Sequence, residues 1–464
     1  MSRSGAACVA FAILVGGGRA LAHPPPMATG LWWAPAAAGT GAASQERERL
    51  IIRTPRGFLI ESPATNDFRF LCNQAVGFQD GDDPSQAVGI QDGEDASFST
   101  LGSDAFLITT YARGALRGST DGCNWAPVTG AATTPAFDVT VVPSGGDTTA
   151  YVVGGMPHQG DHFWAGRSSG TAWSALGNSD EPYTRVRVAA SNPNRVYLTG
   201  IGLSQAGTEI HRLGVSDDGG KTVTDRLLSL GPMDLQARVL DVDPLHPDHL
   251  YLYVESTSAE IPERVMVSAD AGQSFTMGPM LHDIAAFAQS SDGRRVWVGG
   301  KEGISRSDDG GGSFAPVSGG AMTRITCLAT HGDRLYACGV LDNQLVVALS
   351  NDDGDTFQKV FSFEQVTATV DCPGRNPASA PGSVCAAALD HWRSEVGTGS
   401  TVPTGMGGAS GSGGSGGTGG PAMPLPKGSS CSFGGPVDDP SGPAVALLLA
   451  ALALRWRRRV PFDA

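Results

Sequence analysis

Charge is scarce in this chain. Only 17% of the 464 residues are charged, and just four of the 32 basic residues are lysine. With 64 glycines and 30 prolines, that composition argues against long exposed helices and for many short strands joined by turns. Basic surface is missing too. The formal charge is −14; Arg3 and Arg19 lie in the first 22 residues, and the last 34 carry four arginines against three aspartates, so the span between holds about −17. Nucleic acid is excluded as a partner, because phosphate contacts need clustered Lys and Arg. No P-loop, nucleophile elbow or H-E-x-x-H motif occurs, and no cysteine pair has C-x-x-C spacing. No catalytic constellation, cofactor site or metal site is expected. Long apolar runs are also lacking. The run at residues 6–15 is too short to span a bilayer, and with Arg3 before it and Ala20-Leu21-Ala22 after it, residues 1–22 read as a secretory signal.

Export implies an oxidising compartment. Outside the signal and the tail six cysteines remain, an even count that favours disulfides. RITCLATHGDRLYACGV reads as two strands around a turn at Gly332-Asp333, which places Cys327 opposite Cys338 within bridging range. Cys372–Cys385 would close a Pro/Gly-rich loop, leaving Cys72–Cys123 by elimination.

What the chain does have is a repeated phrase, Ser-x-Asp-x-Gly-x-x-aromatic. It reads SADAGQSF at 268–275, SDDGGGSF at 307–314 and SNDDGDTF at 350–357; SDDGGKTV at 216–223 lacks the aromatic, and STDGCNW at 119–125 is one residue short. SSGTAW at 168–173 is a worn copy. Between phrases lies an apolar strand, a polar turn and a second apolar strand, as in RVRVAASNPNRVYLTGIG from Arg185. About four strands per unit, with phrases 39 to 52 residues apart, are the mark of a β-propeller. The runs alternate in polarity, which excludes a helical solenoid. Six blades carry the phrase or its remnant. Segments 50–77 and 365–396, both strand-rich and too short for a blade, are expected to join as a seventh that hides the sheet edges; six or eight blades stay open.

Within the phrase, Asp accepts backbone N–H groups in a hairpin turn, Gly supplies a positive φ, and the aromatic folds over its own turn. These residues are Ser119, Asp121 and Trp125; Ser216, Asp218 and Gly220; Ser268, Asp270, Gly272 and Phe275; Ser307, Asp309, Gly311 and Phe314; and Ser350, Asp352, Gly354 and Phe357. The phrase resembles the Asp-box (BNR) repeat of sialidases, sortilin-like receptors and photosystem-assembly-factor-like propellers. The resemblance implies an all-β propeller whose phrase lies away from the binding face, so that these aspartates are turn residues and not acids. A sialidase would need an arginine cage, a Tyr–Glu pair and an Asp acid. Ile52-Arg53-Thr54-Pro55 only echoes that family's early Arg motif; Arg185, Arg187, Arg238 and Arg324 stand where cage residues could project, and no Tyr–Glu pair can be assigned.

Three features lie outside the repeat. QAVGFQDGDDPS at 74–85 is followed at once by QAVGIQDGEDAS at 86–97, nine of twelve positions identical; this reads as an acidic surface loop and not as a Ca²⁺ site, since its spacing matches no EF-hand. His158, Asp161 and His162 share a Gly-containing loop, where His at i and i+4 do not converge on a metal. His246 and His249 are turn residues. After the Gly/Ser-rich stretch 397–430, a flexible tether, comes Cys431, a short apolar run at 444–454 and four arginines from Arg455 to Arg459, a charge order that holds this end in the cytoplasm. That order is similar to a MYXO-CTERM sorting tail, and the resemblance implies processing and lipidation at Cys431 and display on the outer surface of a Gram-negative cell. The expected organisation is therefore signal 1–22, Pro/Ala-rich segment 23–45, propeller 46–396, linker 397–430 and tail 431–464. The expected protein is a monomeric surface-tethered propeller that binds a glycan or protein and contacts the membrane through its tail. The rivals are an exo-glycosidase on the same fold and a purely structural envelope protein.

Overall fold

The computed structural model describes residues 27–34, 48–62, 67–76, 98–101, 105–110, 114–119, 121–128, 135–144, 147–155, 162–167, 173–177, 181–203, 209–317, 322–372 and 381–396. The signal stretch, residues 77–97 of the acidic duplication, the turn of the worn phrase, the linker and the tail lie outside them. The described residues form seven antiparallel sheets of four strands each, with one extra strand on the first. Blades 1 to 7 cover residues 30–72, 98–127, 136–175, 183–228, 234–281, 286–316 and 323–362.

Each sheet runs outward in chain order, and the first strands of blades 1 to 5 touch in series, as do those of blades 6 and 7 and those of blades 7 and 1. The ring is thus a closed propeller. Burial follows that geometry. The second strand of blade 5, Leu250–Ser256, is buried at every residue because both its faces meet neighbouring blades, whereas the fourth strand of blade 4, Thr224–Leu228, is mostly exposed. Seven apolar clusters fill the seven blade interfaces, one each, and the cluster between blades 7 and 1 joins Leu31 and Phe70 to Tyr336 and Phe361. Burial of such clusters is the main force closing the ring.

The seventh blade differs from the sequence expectation. Blade 1 comes whole from the N-terminal side. Its first strand, Gly30–Ala34, falls in the stretch read as a Pro/Ala-rich segment, so the propeller starts before residue 46. Among its described residues the C-terminal stretch supplies only a two-residue strand, Ala368–Thr369, parallel to Phe68–Cys72, and then two helices, Pro381–Val384 and Ala386–Val396. Cys385, Leu389 and Trp392, spaced i, i+4 and i+7, share a buried helical face. The period is helical, not that of the strands expected for 365–396.

The disulfides need a second correction. Cys327–Cys338 forms as the hairpin register requires. The other four cysteines pair Cys72–Cys385 and Cys123–Cys372, not Cys372–Cys385 and Cys72–Cys123. Both bridges tie the C-terminal strap, residues 366–396, back onto the first two blades, across 313 and 249 residues of chain. Closing the ring brings these positions together, and separation along the chain hides it.

Candidate functional site

The propeller has two unlike faces. On one, the turn between the first and second strands meets the turn between the third and fourth: Gly219 N–H donates to Asn194 O, Ala271 N–H to Asp248 O and Gly310 N–H to Arg294 O. The Ser-x-Asp-x-Gly phrases build this face. In the four eight-residue copies, the one at 216–223 included, the Ser hydroxyl accepts the Gly N–H at 2.7–2.8 Å and donates to Asp Oδ1 at 2.7–2.9 Å. A hydroxyl two residues past the Gly, on Thr222, Ser274, Ser313 or Thr356, donates to Asp Oδ2, and its own N–H donates to Oδ1. In blade 2, Ser119 donates to Asp121, and Trp125 Nε1 donates to Gly122 O at 3.0 Å, covering its own turn.

These bonds hold the carboxylates in their charged form. Chiefly through bonds from Thr222, Ser274 and Ser307, the carboxyls of Asp218, Asp270 and Asp309 are depressed to about 2, and Asp352 is lowered in the same way by Thr356. Such groups are poor general acids. The turn also reaches sideways. Gly272, at φ +80°, leaves room for Leu213 of the preceding blade, and Tyr251 Oη and Trp297 Nε1 each donate to the phrase of the following blade, at Gly310 O and Asp353 O.

The opposite face carries the turns between second and third strands and the links between blades. The arginines singled out from sequence do not gather there. Arg53 is buried, bonding Thr54 O, Gly57 O at 3.2 Å and Asn73 Oδ1 at 3.1 Å. Arg185 and Arg187 lie 3.5 and 2.7 Å from the buried Asp138, and Arg187 also donates to Leu240 O in blade 5. Arg238 pairs with Glu255 at 2.9 Å, and Arg324 is exposed.

A Tyr–Glu pair does exist, and sequence reasoning missed it. Tyr253 Oη donates to Glu263 Oε1 at 2.7 Å, across the turn joining Leu250–Ser256 to Glu263–Ser268. The Arg238 guanidinium lies 5.7 Å from the Tyr253 ring, and Glu263 Oε2 accepts Ile284 N–H from blade 6. The signal was available: strand register places Glu263 beside Glu255, two residues from Tyr253. Tyr253 is only 8% exposed, and burial, followed by the nearby Glu263 charge, pushes its phenol above its ordinary value. Burial raises Glu263 as well. A phenol held so firmly protonated is poorly placed to attack a substrate.

On the same face a cleft of about 850 Å³ opens between blades 4 and 5. Ile210, Leu227, Leu228, Leu230 and Leu235 supply an apolar wall, and Glu209, His211 and Asp234 a polar one. Asp234 is clamped by Arg264 at 2.5 Å and by the Gly231 N–H at 2.6 Å, and the Arg264 bond lowers its carboxyl. Burial lowers the His211 imidazole, whose Nδ1 is enclosed without a hydrogen-bond partner and whose Nε2 lies 3.8 Å from Glu209.

His246, His249 and His162 take structural places. Asp243 Oδ1 accepts the Leu245 and His246 N–H groups and faces His246 Nδ1 at 3.0 Å, and His249 lies 3.6 Å from Oδ2, all within one turn. His162 is buried with Nδ1 3.2 Å from Gly154 O; His158 and Asp161 lie outside the described residues. Among the described residues no group of three His, Cys, Asp or Glu could hold a metal, and no helix is long and apolar enough to cross a membrane.

The fold and these faces define a seven-bladed β-propeller. The sequence matches no protein-family model and no curated protein. Solved structures similar to it are propellers of unlike kinds. Kuenenia stuttgartiensis hydrazine synthase is 11% identical with a TM-score of 0.46, the match covering 72% of this chain and 98% of that one. YCF48 from Cyanidioschyzon merolae is 13% identical (TM-score 0.38; 68% and 94% covered), and the GH74 enzyme of Niastella koreensis 14% identical (TM-score 0.25; 67% and 69%).

Proposed function

We propose that this is an exported, surface-tethered propeller of the Asp-box type that binds a glycan or protein partner and catalyses no reaction on it. The observation that carries this reading is the cleft between blades 4 and 5, on the face away from the Ser–Asp turns, with an apolar and a polar wall. Clefts of this size and mixed lining suit ligand binding. The candidate acids, meanwhile, are committed elsewhere. The phrase aspartates are turn residues, and Asp138 and Glu255 face arginines.

One observation favours the rival reading, an exo-glycosidase: the Tyr253–Glu263 pair with Arg238 beside it. Against it stands the scatter of the arginines, two on Asp138 and one on Glu255. Assaying the full chain against fluorogenic sialosides and hexosides separates the two. No turnover is expected; turnover lost in Tyr253→Phe would replace the binding reading with the enzymatic one. The tether is tested apart from this. Cys431→Ser should abolish lipid labelling and release the protein from intact cells, and unchanged surface attachment would discard the sorting-tail reading.

A further inference from the structure

We propose that the outer two strands of blade 5 carry a binding site for a soft monovalent metal ion, copper(I), held by the thioethers of Met266, Met277 and Met280. None of the three lines the cleft between blades 4 and 5, so the site stands apart from the partner-binding reading. Three observations carry it. The first is register. Met277 is the direct cross-strand partner of Met266, and Met280 is that of Arg264. Directly opposed residues of antiparallel strands share a face, and so do residues two apart on one strand. Met266, Met277, Met280 and Arg264 therefore project to the same side. On a regular strand Met277 and Met280, three apart, would point to opposite sides. A β-bulge prevents this, because Gly278 and Pro279 together oppose the single Val265. Packing agrees with the register: Met266 lies against the apolar cluster between blades 4 and 5, while Val265 and the Gly278 position face Phe314 of blade 6. Opposed Cβ atoms stand about 5 Å apart and diagonal ones about 7 Å, gaps that a side chain with three rotatable bonds and a terminal thioether can span.

The second is exposure. Met277 is 67% and Met280 51% exposed, two of six large hydrophobic side chains so placed among the described residues, and Met266 is half-buried. Core packing does not call for methionine at an exposed position, and there the side chain is open to an ion from solvent. The third is ligand chemistry. All six cysteines among the described residues are in disulfides, so thioether is the soft ligand that the described surface offers. Thioethers select copper(I), whereas calcium and magnesium take oxygen and zinc takes thiolate, imidazole or carboxylate. The cations near this face are engaged: Arg264 donates twice to Asp234 at 2.5 Å, and Arg226 of blade 4 donates to Ala271 O. Leu228 and Phe275, packed with Met266 on the same cluster, supply an apolar floor.

The test uses the full chain carrying Cys8→Ser and Cys431→Ser, which removes the two thiols outside the disulfides. Copper(I) is offered anaerobically in competition with bathocuproine disulfonate. The chain should take up a single copper(I). Met277→Leu and Met280→Leu should each weaken binding by at least roughly tenfold, the loss that removing even a ligand's supporting residue causes. The double variant should abolish it, while Met322→Leu, at a methionine buried between blades 6 and 7, should change nothing. Leucine keeps the volume and apolarity of methionine, so the variants should melt as the parent does, and lost binding is then neither lost folding nor lost packing. The pH profile is a second readout. A thioether carries no proton, so affinity should stay level from about pH 8 to about pH 5, where a histidine site would lose its metal. No uptake, uptake that survives the double variant, or affinity that falls with acid overturns the inference. Each of these leaves glycan or protein binding at the cleft untouched.

Discussion

The phrase aspartates are the residues whose chemistry is most fully determined here. Their carboxyls titrate near 2 in the folded chain and near 4 when unfolded, so the folded state holds fewer protons between those values. Their stabilising contribution is therefore complete above about pH 4 and is lost as pH falls toward about 2. Urea unfolding midpoints followed from pH 5 down to pH 2 should drop steeply through that window, and Asp270→Asn should make the drop shallower; an unchanged slope would remove Asp270 from the account. The Ser of the phrase is as important and uncharged. Ser268 is 1% exposed, and its Oγ accepts both Gly272 N–H and Asp270 N–H. Ser268→Ala strands a buried donor and should cost about 1–3 kcal/mol by chemical denaturation. The roles of Ser, Asp and Gly could be read from residue types alone, because turn chemistry is local. The hydroxyl at Thr222, Ser274, Ser313 and Thr356 was equally visible, recurring one residue before the aromatic position, yet it sat in the phrase as an arbitrary position. Its importance follows from the second carboxylate oxygen, which needs a donor once Oδ1 is taken.

Among the elements, strands and hairpins were legible and the C-terminal strap was not. The hairpin at 323–341 gave its own disulfide because register is set by a single turn. The Tyr253–Glu263 pair obeys the same rule and could have been found by counting out from its turn, which is longer and carries no Asn-Gly or Asp-Gly marker. The strap is different. Its short helix Ala386–Val396 continues an apolar stripe of three residues that starts at Cys385, and its disulfide partners lie more than 240 residues away in sequence. Trp392 anchors it: fully buried, its ring centroid 5.2 Å from Phe70 and 5.6 Å from Phe363, with Nε1 donating to Phe363 O at 3.3 Å. Trp392→Ala should therefore destabilise the chain by about 3–5 kcal/mol, as large-to-small core changes do. Limited proteolysis should then cut within the strap before any blade. Protease resistance equal to the parent would show that the bridges alone hold it.

At the scale of the whole molecule, the count of phrases argued for a ring, and the seven apolar clusters pack its blades side by side without a gap. How the ring closes was hidden, because closure depends on blade 1 and the C-terminal strap, neither of which carries a phrase. It is closed in two ways, by packing of blade 7 on blade 1 and by the bridges that bring residues 372 and 385 back to blades 2 and 1. The bridges differ from the hairpin bridge in what they do to the unfolded chain. Cys327–Cys338 closes a loop of 11 residues and removes little freedom, whereas Cys72–Cys385 closes one of 313. In the chain-entropy picture the short loop contributes about 3 kcal/mol and the long one roughly twice that, before strain is counted. Replacing Cys72 and Cys385 by serine should thus lower the unfolding midpoint substantially more than replacing Cys327 and Cys338. Non-reduced peptide mapping should recover the Cys72–Cys385 and Cys123–Cys372 links in the parent. If the hairpin variant proves the less stable of the two, the bridges to the strap are not what keeps the ring shut, and blade packing alone must account for it.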